Sequence, residues 1–333
     1  MNALQFILSL FLSCGVNTAS LLSWLISNRF FFTKMDEVTP VQRNCNLFRY
    51  KGYCFLKQLH NKESVDALQD FLTREDDVFL VTFPKSGTVW TQHILSLICS
   101  EGYRKGTENT STIDTVPWFD FNLTKQDYDE IPSPRLFVTH LSPCLVPRDL
   151  KNKKGKVIYV IRNPKDVMTS MYYFNNMAVL SQKQPNFGKF MEAFLSGDVY
   201  AGSWFDHVRG WYTHKDDFNI LYIKYEDMIM DLRSVVKQIC TFIGREMDEA
   251  SLNNVAEKAA FKEMKKDPRA NREDAPEELV DKSKGTFMRK GTIGDWKNEM
   301  TVAQSEQFDA LFEEQMKDLP LTFTWDLPEK PSC

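Results

Sequence analysis

The chain repeatedly switches between two hydrophobic periods. Residues 78–83 (VFLVTF) are apolar everywhere except Thr82 and stop at Pro84. A short uninterrupted run of this kind predicts a strand buried on both faces. From 88 to 102 the apolar residues Val89, Trp90, Ile94, Leu95, Leu97 and Ile98 follow helical spacing. RLFVTHL (135–141) and KVIYVI (156–161) predict a second and third strand, the latter followed by a helix over 167–176. NILYIKY (219–225) predicts a fourth. Further helices are expected at 64–72, 187–194, 204–213, 232–243, 249–260 and 304–316. Residues 44–57 read as an edge strand with a turn at Lys51-Gly52, and 102–115 as a polar loop. Residues 262–284 are highly charged and broken by Pro268 and Pro276, which predicts a mobile exposed loop. Strands alternating with helices predict an α/β fold: a single domain whose central, mainly parallel sheet is flanked by helices.

The first residues break this pattern. Residues 3–26 carry no charge and are long enough to cross a bilayer, so this segment could touch a membrane. It lacks the basic leader of a secretory signal. Arg29 and Lys34 follow it, which would keep the remainder cytoplasmic even after insertion. Met35 opens Met-Asp-Glu-Val, a plausible second start. Residues 1–35 are therefore set apart as an apolar leader, and a cytoplasmic domain is expected over 36–330.

Composition narrows the function. A chain of 333 residues, 43% hydrophobic and 13% aromatic, has ample material for a core. A net charge of −4 excludes the broadly basic surface of a nucleic-acid binder, so any anion site must be local. The seven cysteines are scattered, without paired or metal-binding spacing, which fits reduced thiols. No metal site is predicted.

Between the first strand and its helix lies Pro84-Lys85-Ser86-Gly87-Thr88. A tight turn into a helix gathers unpaired N–H groups at the positive end of the helix dipole. Lys85 adds a full charge, and the predicted ligand is a phosphate or sulfate ester. The stretch alone is equally consistent with an ordinary β-α turn bearing a surface lysine. It is not a nucleotide P-loop, because Lys85 and Ser86 precede Gly87 and no glycine stands five residues before Lys85. Arg162 and Ser170 flank the start of the helix after the third strand, which repeats the strand-turn-helix plan. GTFMRKGTIG (285–294) carries Arg289 and Lys290, either a basic turn or a phosphate clamp. His140 ends the second strand, where open α/β sheets bind ligands. Trp118, Phe119 and Phe121 surround Asp120, and together with Tyr172 and Phe174 they suggest an aromatic-lined pocket. Asp120 could attract a cationic amine, face solvent or cap a turn.

TFPKSGTVW, YVIRNPKDV, IKYEDM, FKEMKKDP and FMRKGTIGDWKNEMT, in this order, resemble the cytosolic sulfotransferases over about residues 45–327. Stretches such as KGTENTSTID and NPKDVM resemble the amine sulfotransferase branch. The resemblance implies transfer of a sulfuryl group from 3′-phosphoadenosine 5′-phosphosulfate (PAPS) to a hydroxyl or amine of a small, largely apolar acceptor: an amine, phenol or steroid alcohol. It implies Lys85, Ser86, Gly87 and Thr88 around the 5′-phosphosulfate, with Val89 beside them, and Trp90, Tyr225 and Phe261 around adenine. Arg162, Ser170, Arg289, Lys290 and Gly291 would bind the 3′-phosphate, adjoined by Phe287 and Met288. Lys85 would stabilise the leaving oxygen, and His140 would be the general base. The family needs no metal. Lys297, Thr301, Val302 and Glu306 match its short dimer motif, implying a homodimeric cytoplasmic enzyme of xenobiotic metabolism.

Three positions depart from the family pattern. Val138 replaces a lysine two residues before the histidine, Ser142-Pro143 displaces a proline, and Ala259 stands where a threonine often approaches adenine. Two other functions compete: a non-catalytic nucleotide or ligand carrier of the same fold, and a nucleotide kinase.

Overall fold

A computed structural model describes residues 37–41, 44–100, 110–122, 125–273 and 275–327. The expected leader, residues 1–35, lies outside the described residues, as does most of the expected loop at 102–115. No described helix is long and apolar enough to cross a membrane.

The chain opens with an antiparallel sheet, β1 (Thr39–Val41), β2 (Asn44–Tyr50) and β3 (Tyr53–Leu56). The expected single edge strand is thus a hairpin. It turns at Lys51-Gly52, where both residues have positive φ (49° and 77°). After α1 (Lys62–Leu68), β4 (Val78–Thr82) enters the main sheet. It leads into α2 (Thr88–Ser100). β5 (Leu136–Thr139), β6 (Lys156–Ile161) and β7 (Ile220–Lys224) complete four parallel strands in the order β5-β4-β6-β7. The neighbour order reverses at β4, so the crevice above β4 and β6 is the place where such sheets bind ligands.

The helices are α3 (Pro164–Met177), α4 (Phe187–Leu195), α5 (Trp204–Thr213), α6 (Tyr225–Met230), α7 (Leu232–Ile243), α8 (Glu249–Ala259) and α9 (Val302–Met316). Strand alternation divides the core. Phe79, Val81, Val157 and Tyr159 pack on one face of the sheet, and Leu80, Ile158 and Val160 on the other with Trp90 and Ile94. Burial on both faces is why these strands read as unbroken apolar runs. Beneath the sheet, Arg135 and Asp77 form a buried pair, with Nε to Oδ1 at 2.8 Å and Nη2 to Oδ2 at 2.5 Å.

The charged stretch at 262–284 is exposed over much of its length, as expected, but not throughout. Ala270, Asn271 and Arg272 are buried, Arg272 donates to Gln92 Oε1 at 2.7 Å, and Val280 forms a bridge to Ala178. Its charges line only part of it; the rest covers a cavity.

Candidate active site

Three strand ends supply the chemistry. Lys85 follows β4, His140 follows β5 and Arg162 follows β6, and all three line one cavity. The turn after β4 is contorted. Lys85 has φ of 70° and Gly87 of 101°, and a Cβ on Gly87 would lie 2.7 Å from the Tyr225 ring. Only glycine allows that approach, so the turn and the Tyr225 wall are matched.

Arg162 ties this turn to the second basic turn. Its Nη1 donates to Lys85 O at 3.0 Å, its Nη2 to Thr292 O at 3.2 Å, and its guanidinium lies 4.1 Å from the Tyr225 ring centre. Asp166 ties the start of α3 to the backbone just after that second turn. Its carboxylate accepts from Asn163 Nδ2 (2.8 Å), Gly294 N (2.8 Å) and Trp296 N (3.0 Å). Asn163 caps α3 by accepting from Asp166 N, and Pro164 at the first helical position has no N–H to leave unpaired. Arg289 and Lys290 both pair with Asp295, and Arg289 stacks 4.3 Å from the Tyr173 ring centre.

The Lys85 ammonium sits between the Phe174 and Phe287 rings, 4.4 and 4.5 Å from their centres. Burial, aided by Arg162 and Arg289, holds its pKa down to about 7. An anion beside it would relieve both causes. Ser86 Oγ and Arg162 Nε are buried without a protein partner. Unmet donors next to three cations fit an anionic ligand such as a phosphate ester.

His140 is held on three sides. Its Nδ1 lies 2.7 Å from Thr82 O and 3.1 Å from Thr82 Oγ1, which in turn lies 2.7 Å from Thr88 Oγ1. Because a carbonyl only accepts, Nδ1 carries the proton and Nε2 keeps its lone pair toward the cavity. The His140 carbonyl accepts from His207 Nε2 at 3.0 Å. Thr139 Oγ1 donates to Asp120 at 2.7 Å and accepts from Leu141 N at 3.1 Å, bracketing the histidine's backbone. Burial lowers the His140 pKa to about 4; Lys85 adds to this, while the Thr82 bond and Asp120 oppose it. Asp120 itself is buried against Thr139 and His60 Nε2 (3.3 Å), so it neither faces solvent nor reaches the cavity.

Most expected contact residues meet here. Gly87, Thr88, Val89, Trp90, Ser170, Tyr225, Phe261, Phe287, Met288, Arg289, Lys290 and Gly291 line the cavity, with Trp118, Phe121 and Phe174. Ser86 is the exception: it is buried and does not line the cavity. Two expected pocket residues are corrections. Phe119 points into the core against Phe71, Phe79 and Phe137, because strand-like backbone there alternates it with Trp118. Tyr172 packs on Phe187 and Phe190, because two residues along α3 from Ser170 lies another face. Val138 is buried in the apolar cluster with Trp90. Ala259 accepts from Trp90 Nε1 at 2.7 Å through its carbonyl, so it still anchors that ring. The sequence reading missed Tyr200, Val199 and Leu47, which complete the apolar wall, and Asp295, the partner of the 289–290 turn.

A family model for the sulfotransferase domain matches residues 75–320. An amine sulfotransferase of Oryctolagus cuniculus is 48% identical over 286 residues, 85% of this chain and 95% of the relative. A 3-beta-hydroxysteroid sulfotransferase of Cavia porcellus is 38% identical over 84% of this chain and 98% of the relative. The crystal structure of mouse sulfotransferase SULT7A1 complexed with PAP superposes with a TM-score of 0.68 at 33% identity, covering 82% of this chain and 95% of that one.

Proposed function

The chain belongs to the sulfotransferase family of PAPS-dependent enzymes, and from that premise we propose that His140 is its general base and that a small, largely apolar amine or alcohol is its acceptor. The observation that carries this reading is the shared cavity: a lysine, two arginines and an imidazole with a free Nε2 face one space.

The donor substrate supplies an activated sulfuryl group. Lys85, Ser86 and the N–H groups opening α2 would hold its phosphosulfate, and Arg162, Ser170 and Arg289 its 3′-phosphate. Trp90, Tyr225 and Phe261 would flank adenine. Of these, Trp90 and Tyr225 already stand edge to face at 5.5 Å. His140 Nε2 takes the acceptor's proton as the acceptor–sulfur bond forms. The bond from sulfur to the 5′-phosphate oxygen breaks, and its electron pair stays on that oxygen, where Lys85 offsets the charge. A base held neutral through the physiological range is always in its accepting form.

Acceptor charge follows from the cavity wall. Its two acids are already paired, Asp198 with Arg49 at 3.2 Å and Asp295 with Arg289 and Lys290. No other carboxylate lines the cavity among the described residues. Five lysine and arginine side chains against two acids, together with an apolar wall, favour an uncharged amine over an ammonium, and only the uncharged form has the lone pair that attacks sulfur. The name of the Oryctolagus cuniculus relative supports amines as the first acceptors to try. Lys297, Thr301, Val302 and Glu306 lie on one exposed stretch at the start of α9, with Val302 76% exposed. An apolar side chain so placed supports a homodimer contact there, and a cytoplasmic location goes with both readings.

The test is sulfate transfer from labelled PAPS to arylamines, phenols and steroid alcohols. His140→Ala should lose about 100- to 10,000-fold in kcat while still binding the nucleotide. Full turnover in that variant would remove the proposed base. Magnesium-dependent ATP turnover would favour the kinase instead.

A further inference from the structure

Beyond His140 the cavity continues away from the basic turns, toward the N-terminal hairpin. Tyr200 stands 5.9 Å from the His140 ring and packs against the small cluster of Val41, Leu47 and Cys54. Asn44 lies three residues before Leu47 on the same strand, about 10 Å along it at ordinary strand rise. Asn44 and Gln182 both line this end.

Their carboxamide orientations are fixed by main-chain donors. Asn44 Oδ1 accepts from Asn46 N at 3.1 Å, and Gln182 Oε1 accepts from Cys45 N at 2.9 Å. A backbone N–H can only donate, so the oxygen of each amide is identified and the NH2 is the other branch. Neither NH2 has a protein acceptor among the described residues. The frame around them is rigid: Asn46 Nδ2 donates to Leu180 O at 2.9 Å, and Asn175 Nδ2 to Gln182 O at 3.0 Å. Leu47, Leu56, Val199 and Tyr200 give the same cavity an apolar wall.

We propose that Asn44 and Gln182 form a two-donor clamp for a hydrogen-bond-accepting oxygen, a ketone or ether, at the end of the acceptor remote from the group that is sulfated. The inference rests on the sulfotransferase reading and adds a substrate shape to it: elongated, rigid and apolar between two polar ends. A pair of donors discriminates because an acceptor lacking the oxygen leaves them unmet.

The experiment pairs a rigid polycyclic amine or alcohol bearing a distal ketone with its parent, in which that carbonyl is a methylene. Wild-type enzyme should show about tenfold higher kcat/KM for the ketone, carried by KM, as expected for one to two added hydrogen bonds. Asn44→Asp and Gln182→Glu keep the oxygens that accept from Asn46 and Cys45 and turn the free donors into acceptors. The double variant should bring the pair to within about twofold, with kcat unchanged on a one-ring acceptor too short to reach the clamp. Equal handling of the two compounds by wild type, or a preference that survives in the double variant, overturns the clamp. Absence of transfer to any acceptor overturns the enzymatic reading instead. In that case calorimetric binding of ketone and parent to the protein saturated with adenosine 3′,5′-bisphosphate still decides the clamp by the same tenfold ratio.

Discussion

Lys85 makes a measurable prediction about protons. Its side chain is buried between two rings and faces Arg162 and Arg289, which brings its pKa to about 7. At pH 8 it is then about 90% uncharged, and at pH 6 about 90% charged. Binding adenosine 3′,5′-bisphosphate places phosphate charge among the three cations and returns Lys85 to its charged form. At pH 8 each binding event should therefore take up about 0.9 proton, at pH 6 about 0.1 from this group. The phosphates, with second ionisations near pH 6, are already fully ionised at pH 8 and contribute little there. Restoring the pKa toward 10.5 corresponds to coupling on the order of 4–5 kcal/mol between proton and ligand. Calorimetry at pH 8 in buffers of different ionisation enthalpy reads the uptake directly. The Lys85→Met variant should show none. Buffer-independent heats for the wild type at pH 8 would refute the electrostatic account of this site. Stability gives the same sign. Between pH 7 and 10.5 the unfolded chain holds the Lys85 proton more firmly than the folded one. The wild type should therefore gain stability relative to Lys85→Met as pH rises from 7 to 9, read from urea midpoints.

Two glycines should be intolerant. A Cβ on Gly87 would meet Tyr225 at 2.7 Å and one on Gly291 would meet Phe261 at 2.4 Å, both at positive φ. Gly87→Ala and Gly291→Ala should each weaken nucleotide binding at least about tenfold by displacing a wall residue, with a stability loss of about 1–3 kcal/mol; unaltered affinity would show that the walls yield freely. Arg135→Ala leaves Asp77 buried and unpaired and should cost about 3–5 kcal/mol in urea unfolding, whereas a loss under 1 kcal/mol would mean water reaches the carboxylate. Val302→Glu puts a charge on the exposed stretch proposed here for a homodimer contact and should shift sedimentation toward monomer; an unchanged distribution would count against that contact.

The sheet was legible because β4, β5 and β6 are buried on both faces and so carry uninterrupted apolar runs, while β7 is half-buried yet keeps the apolar run ILYI. The basic turns were legible because glycine and cation spacing mark sharp backbone bends near charge. Tyr172 could have been placed correctly from periodicity alone, whereas period two separates Phe119 from Trp118 but would also separate Phe121, which stacks on Trp118. Helical period sets Tyr172 off the face shared by Ser170 and Phe174. The N-terminal hairpin was harder, since Leu47 and Tyr53 are buried by contacts from distant segments that leave no local pattern. Nothing adjacent in sequence marks Tyr200 as a cavity wall. The 262–284 stretch misled because its charge is high while Ala270, Asn271 and Arg272 are the part that packs.

Asp166 has a bearing on protein engineering. One carboxylate braces the start of α3 and the backbone at Gly294 and Trp296. A library that reshapes 289–294 to admit a different donor nucleotide therefore also loosens the bracket around Arg162. Selections that diversify both turns together, with Asp166 fixed, should reach altered donors that single-loop libraries miss.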